Sequence, residues 1–248
     1  MADGAILRVS GLTRRFGGVV AVDQLSFALT PNRIWGLIGP NGSGKTTLFN
    51  LLSGVLQPDS GTIELFGHDV TGWPSHRITA LGLGRTFQLT RLFRQMTVYE
   101  NLLVAARQAD ATASRARADE LLAFVGLTPL RDEYAGNLSY GQQKLLELMR
   151  LLMTEPRLIL LDEPFAGVNP VMENRLVGLI HELLAQGVTF LITDHEIRLI
   201  LTLCERVLVL DYGKLIAEGA PAAIQRDERV IAAYLGRRRA DGAAEPTP

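Results

Sequence analysis

The chain is 248 residues long, 47% apolar and 21% charged, the composition of an ordinary globular protein with room for one large α/β domain or two small ones. Its formal net charge of −1 gives no basic field, so nucleic acid is not an expected partner. The single cysteine, Cys204, excludes an intramolecular disulfide and a cysteine-rich metal site, and its apolar setting marks it as a small core residue.

In chain order, residues 6–36 open with short alternating segments, Ile6 to Val9, Val19 to Val22 and Leu25 to Leu29, which predict an antiparallel entry sheet. Ile34 to Ile38 is a brief apolar strand running straight into a glycine-rich segment, 39–44. A helix is predicted over Thr46 to Ser53 with Gly54 as its C-terminal stop, then a strand over Gly61 to Phe66. From about Thr90 to Arg150 the pattern turns helical and charge-rich, with helices over Thr97 to Ala109, Ala111 to Val125 and 143–153. This stretch is expected to be a helical subdomain inserted in an α/β core. The core resumes with Leu158 to Leu161, a helix over about 171–186 and a second apolar strand, Val188 to Thr193, in a βαβ rhythm. Val207 to Leu210 and Leu215 to Ala217 are predicted to form a hairpin through Asp211-Tyr212-Gly213-Lys214, and residues 237–248 a frayed tail.

No apolar run approaches the ~18 residues needed to cross hydrocarbon. The opening residues, with Asp3, show no basic-then-apolar signal pattern. The chain is therefore expected in the cytosol, reaching a membrane only through a partner.

Gly39-Pro40-Asn41-Gly42-Ser43-Gly44-Lys45-Thr46 fits the P-loop pattern G-x-x-x-x-G-K-[ST] in full. Glycines let successive backbone N–H groups turn toward an anion, and the following helix directs its positive end at it. Lys45 is expected to serve the β- and γ-phosphates, the Thr46 hydroxyl a Mg²⁺ ion, and Thr47 the α-phosphate. Leu158-Ile-Leu-Leu161 ends in Asp162-Glu163-Pro164, which sets two carboxylates at the C-terminal edge of a buried parallel strand, where ligands collect in open α/β sheets. Asp162 is the expected Mg²⁺ holder and Glu163 the group that polarises the attacking water. A Glu rather than a Gln at 163 argues for hydrolysis over a nucleotide-locked binding module.

With these motifs in place, Leu138-Ser139-Tyr140-Gly141-Gln142 resembles the signature of the ABC (ATP-binding cassette) family, with Tyr140 where Gly is usual. Gln88 resembles the Q-loop residue, His195 the switch histidine and Phe16 the aromatic that stacks on adenine, all in the family's order across about residues 6–236. The resemblance implies a single domain: a P-loop NTPase core with an antiparallel β subdomain and an inserted helical signature subdomain at about 90–150. It also implies that Ser139 and the Gly141 N–H complete the γ-phosphate site of a second cassette, identical or homologous, packed head to tail with ATP between. Gln88 would touch Mg²⁺ or the lytic water and report to the helical subdomain. His195 would hydrogen-bond the γ-phosphate and hold Glu163 and the water in register.

One departure narrows the resemblance. After Asp162-Glu163-Pro164 the chain reads Phe165-Ala-Gly-Val-Asn169-Pro170, with Asn where Asp is common. That stretch, together with Arg85-Thr-Phe-Gln88, Glu100-Asn101 and Val230-Ile-Ala-Ala-Tyr-Leu-Gly236, resembles the branched-chain (hydrophobic) amino acid importers. Lipopolysaccharide-export cassettes and the urea and amide importers share several of these features. Arg94 stands where Pro is frequent, and Met149 to Met153 lacks the usual Ala-rich text. The implied partners are integral membrane permease subunits, a second cassette and, indirectly, a periplasmic solute-binding protein, at the cytoplasmic face of the inner membrane. A soluble ABC ATPase is the alternative, disfavoured by the single P-loop and the absence of sustained heptads.

Overall fold

The computed structural model describes residues 4–86, 92–106 and 110–241. The entry segment forms two long strands rather than three short ones: β1 (Leu7–Phe16) and β2 (Val19–Leu29) pair antiparallel over their whole length. Register shifts between Val9 and Arg15, with Gly11 and Gln24 at positive φ, break the alternation without breaking the pairing. That is why the sequence reads as fragments. After β3 (Ile34–Ile38) and α1 (Lys45–Leu52), β4 (Ser60–Leu65) and the two-residue β5 (His68–Asp69) complete a four-stranded sheet in the order β2-β1-β4-β5. The stop after α1 is as expected, with Gly54 at φ 67.

Two elements lie where none was expected, α2 (Ser75–Leu81) and the three-residue β6 (Leu83–Arg85). Then come α3 (Val98–Ala105), α4 (Ala111–Phe124) and α5 (Tyr140–Leu152), the inserted helical layer. α5 starts three residues before the expected 143. A capping box sets the start: Ser139 accepts from the Gln142 N–H while the Gln142 side chain accepts from the Ser139 N–H. Its Lys144 and Glu147 are buried despite their charge.

The core continues with β7 (Leu158–Asp162), α6 (Pro170–Ala185), β8 (Thr189–Thr193), α7 (Ile197–Leu203) and the hairpin β9 (Arg206–Asp211) and β10 (Lys214–Gly219). α8 (Pro221–Ile224) and α9 (Glu228–Asp241) are the last elements among the described residues. The helical backbone of α9 passes Arg237, where fraying was expected, because Arg and Ala carry a helix and no Pro intervenes.

β3, β6, β7, β8 and β9 run parallel in a sheet ordered β10-β9-β3-β8-β7-β6, with β10 antiparallel at the edge. The period-two alternation of strand side chains sends them to two separate cores. Leu37, Leu158, Leu160, Leu191 and Leu208 pack with α1 and the antiparallel sheet. Ile38, Ile159, Leu161, Phe190 and Ile192 pack with the helical layer. Sheets buried on both faces need continuous apolar strands, which is why β3, β7 and β8 were legible. Cys204 is buried in the second core, as expected, with its thiol held well above the ordinary range by burial. Because β8 lies between β3 and β7, three C-terminal strand ends stand side by side, and each carries part of the site.

Candidate nucleotide site

The end of β3 delivers the loop 39–44. Gly39, Gly42 and Gly44 have φ of 158, 72 and 105, and at Gly39 and Gly44 a Cβ would lie 2.2 Å from the Leu210 carbonyl oxygen and 2.4 Å from that of Ala21. Here glycine is required both by conformation and by space. The Lys45 ammonium donates to the carbonyls of Gly39 at 2.7 Å and Pro40 at 3.1 Å. Gly42, Ser43, Gly44, Lys45, Thr46 and Thr47 line one cavity of about 290 Å³, facing Val19, Val20 and Ala21 of β2. The first N–H groups of α1 have no acceptor within the helix, so a concave, positively biased surface is built in advance for an anion. Asn41 sits at the exposed crest of the loop.

At the next two strand ends, Glu163 Oε1 lies 2.6 Å from His195 Nε2. Glu163 adopts a left-handed backbone, φ 52, and its N–H donates to the Thr193 carbonyl at 2.8 Å. Such a conformation is strained for a side-chain-bearing residue and persists where neighbours over-determine it. Asp194 contributes to that determination: its carboxylate accepts from the Phe165 N–H at 3.2 Å and from the Glu196 N–H at 3.1 Å. The loop after Glu163 is thus tied to the loop that bears His195. A carboxylate mostly shielded from water and bonded to an exposed imidazole can take a proton from a water molecule and keep its own orientation.

Asp162 is buried at the end of β7, and its Oδ2 accepts from Arg85 Nη2 at 3.2 Å. The same guanidinium donates through Nη1 to Asn50 Oδ1 on α1 at 2.7 Å and to Ser53 Oγ at the C-cap of α1 at 2.8 Å. Arg85 therefore bridges the carboxylate strand to the helix that begins with Lys45 and Thr46. Among the described residues no cluster of three His, Cys, Asp or Glu is placed to hold a metal. One carboxylate and one hydroxyl fit Mg²⁺, which completes its octahedron with water and phosphate oxygens rather than with an all-protein cage.

The remaining expected residues lie apart. Phe16 is exposed beside Val19 at the β1–β2 turn, with the Arg14 guanidinium 5.0 Å from its ring centre; it does not line the cavity. Ser139 and Gly141 sit at the start of α5 against α6, where a Cβ on Gly141 would lie 2.8 Å from Met172 Cγ. They too are outside the cavity lining. Gln88 falls outside the described residues.

Sequence reasoning missed Arg85, Asp194 and Tyr234 as supports of this site. The Tyr234 hydroxyl, on α9, is hydrogen-bonded to the backbone of Gly39, and burial pushes its pKa up to about 12, Asp211 acting in the same direction and the Gly39 bond against it. A pKa raised above the unfolded value near 10 stabilises fully below that pH and is lost as pH climbs toward 12. Tyr234→Phe is accordingly expected to remove an alkaline loss of roughly 1 kcal/mol, after allowance for solvent screening. Denaturant unfolding of both proteins from pH 9 to 12 checks this. Cys204 titrates in both and cancels, so a stability difference that ignores pH would refute the assignment.

Residues 22–166 match the family described as ABC transporter, and residues 214–240 that described as Branched-chain amino acid ATP-binding cassette transporter. The chain is 41% identical over 249 residues to the high-affinity branched-chain amino acid transport ATP-binding protein BraF of Pseudomonas aeruginosa, covering 93% of this chain and 98% of that one. Identity and coverage are the same for LivG of Escherichia coli. The lipopolysaccharide export system ATP-binding protein LptB of Haemophilus influenzae is 38% identical over 235 residues, 94% of this chain and 98% of its own. Among solved structures, a nucleotide-free ATP-binding cassette from an ABC transporter superposes with a TM-score of 0.85 at 34% identity, over 93% of this chain and 98% of that one. The ADP conformation of such a cassette gives 0.84 at 34% identity, over 94% and 99%.

Proposed function

The chain belongs to the ABC transporter family of ATP-binding cassettes, and from that premise we propose that it is the ATP-hydrolysing motor of an importer for branched-chain or related hydrophobic amino acids or amides. The observation that carries the hydrolytic half is the 2.6 Å contact between Glu163 and His195, one strand away from the P-loop. The importing half rests on the 41% identity to branched-chain amino acid transport proteins and on the match at 214–240. Lipopolysaccharide-type export is the second reading, favoured by the 38% identity to LptB.

In this reading the N–H groups of 42–47 hold the phosphates of ATP and Lys45 leaves its carbonyls to meet the β- and γ-phosphates. Thr46 and Asp162 would hold Mg²⁺, which would supply charge neutralisation at the phosphates. Glu163 accepts the proton of the attacking water while His195 keeps the carboxylate in register and bonds the γ-phosphate. Gln88 contacts Mg²⁺ or the water, and Phe16 stacks on the base. Ser139 and the Gly141 N–H, outside the lining of this chain's own cavity, face the γ-phosphate of a second cassette. Closure of the two cassettes on ATP then pulls on permease subunits through the region from Gln88 to Asn101. No described helix is long and apolar enough to cross a membrane. The proposed place, the cytoplasmic face of the inner membrane, is set by binding to those permeases. A periplasmic solute-binding protein selects the cargo.

Affinity capture of the subunit from detergent-solubilised native membranes is expected to bring down two polytopic subunits and a second cassette. The captured complex in proteoliposomes with its binding protein is expected to take up leucine or isoleucine in an ATP-dependent manner. Capture of lipopolysaccharide-export components would transfer the assignment to the second reading, and capture of no membrane protein would end the transport reading.

A further inference from the structure

The turn between β9 and β10 is a two-residue loop: Asp211 pairs with Lys214, and Tyr212 and Gly213 occupy the corner at φ 43 and 78. Positive φ at both corner positions marks a type I′ turn, for which Asn-Gly is the low-strain choice. A bulky side chain at the first position is strained. The turn is also pinned. The Gly213 N–H donates to the Ser43 carbonyl and its own carbonyl accepts from the Asp23 N–H, both at 2.9 Å. Lys214 pairs with Asp23 at 3.2 Å. The corner is thereby fastened to the P-loop and to β2 at once.

The strained residue is aromatic, 71% exposed, and lines the cavity between the P-loop and Val19, Val20 and Ala21. Val19 is 66% exposed, so the cavity has a phosphate-binding end and an apolar end left open to water. Phosphates take the first, and the apolar end suits the flat faces of a base and its sugar. Phe16 stands at the margin of this end without lining it. We infer that Tyr212 is a second aromatic wall for the nucleoside part of the nucleotide, set in place by the pinned β9–β10 turn. The inference rests on the nucleotide reading of the cavity. It accounts for a strained aromatic where a turn residue would fold more easily.

The test compares wild type, Tyr212→Phe and Tyr212→Asn in direct titrations with a fluorescent ADP analogue, and in competition with ADP and with inorganic tripolyphosphate. Tyr212→Asn is expected to weaken ADP about five- to tenfold, the scale of one aromatic stacking contact. It should leave tripolyphosphate within about twofold, since that ligand has no base to stack. Tyr212→Phe should keep ADP affinity within about twofold, because the ring supplies the contact. Thermal melting should place Tyr212→Asn at or above the wild type, since Asn suits the turn. Unchanged ADP affinity in Tyr212→Asn would overturn the inference. So would equal losses for ADP and tripolyphosphate, which would reduce Tyr212 to a prop for the P-loop. A wild type that binds no ADP would sink the nucleotide reading itself and the wall with it.

Discussion

Glu163→Gln is expected to lower ATP turnover at least about a hundredfold, the lower end of what a positioned general base contributes. Nucleotide affinity should stay within about twofold, because the change removes a proton acceptor and no phosphate contact. Gln has the shape of Glu and donates as well as accepts, so its contact with His195, 2.6 Å in the wild type, survives in altered polarity. The backbone that presents residue 163, at φ 52 and bonded to Thr193, is held by its main chain and by Asp194, so the fold should not change. If the cassettes close on ATP, this variant should stall in the closed state and elute as an ATP-dependent dimer in size-exclusion chromatography. Turnover equal to wild type would remove Glu163 as the base. Lost turnover with lost nucleotide binding would mean that the variant damages the P-loop side instead.

Arg85→Met should give the largest loss of stability. The Arg85 and Asp162 side chains are only 5% and 8% exposed, and removing one partner of a buried ion pair leaves the other charge without compensation, at a cost of about 3–5 kcal/mol. The bonds to Asn50 and Ser53 go with it. Asp162→Asn added to Arg85→Met should restore about 1–3 kcal/mol by deleting the stranded charge. Activity should not return, since a carboxylate proposed for Mg²⁺ is then gone. Denaturant titration of the two singles and the double closes the cycle. A double mutant no more stable than Arg85→Met would show that Arg85 supports the fold through α1 alone.

Legibility followed range of interaction. The loop 39–47 was readable because its spacing is local and nearly every position is constrained. β3, β7 and β8 were readable because a doubly buried strand must be continuously apolar. Arg85 enters the sequence only as the first residue of a stretch of family resemblance, and its role in the site appears only in its pairing with Asp162, 77 positions on. β6 has three residues, too few for a periodicity. The early start of α5 was written in Ser139 and Gln142, but Tyr140-Gly141 masked it as loop. Tyr212 was noted as part of a hairpin corner; what sets it apart is the cavity on its other side, which no pattern in the hairpin encodes.

The strand order has a consequence for how the protein is made. β3, which carries the phosphate loop, is flanked by β8 and β9, and both emerge from the ribosome some 150 residues later. The β1–β2 hairpin can pair as soon as it leaves the exit tunnel, but the strand next in sequence has to wait for almost the whole chain with both edges unpaired. Pairings that distant close slowly, and exposed apolar edges invite association meanwhile. Premature termination anywhere between Thr46 and Thr189 would therefore yield an N-terminal fragment that contains the entire P-loop and cannot form the sheet that holds it.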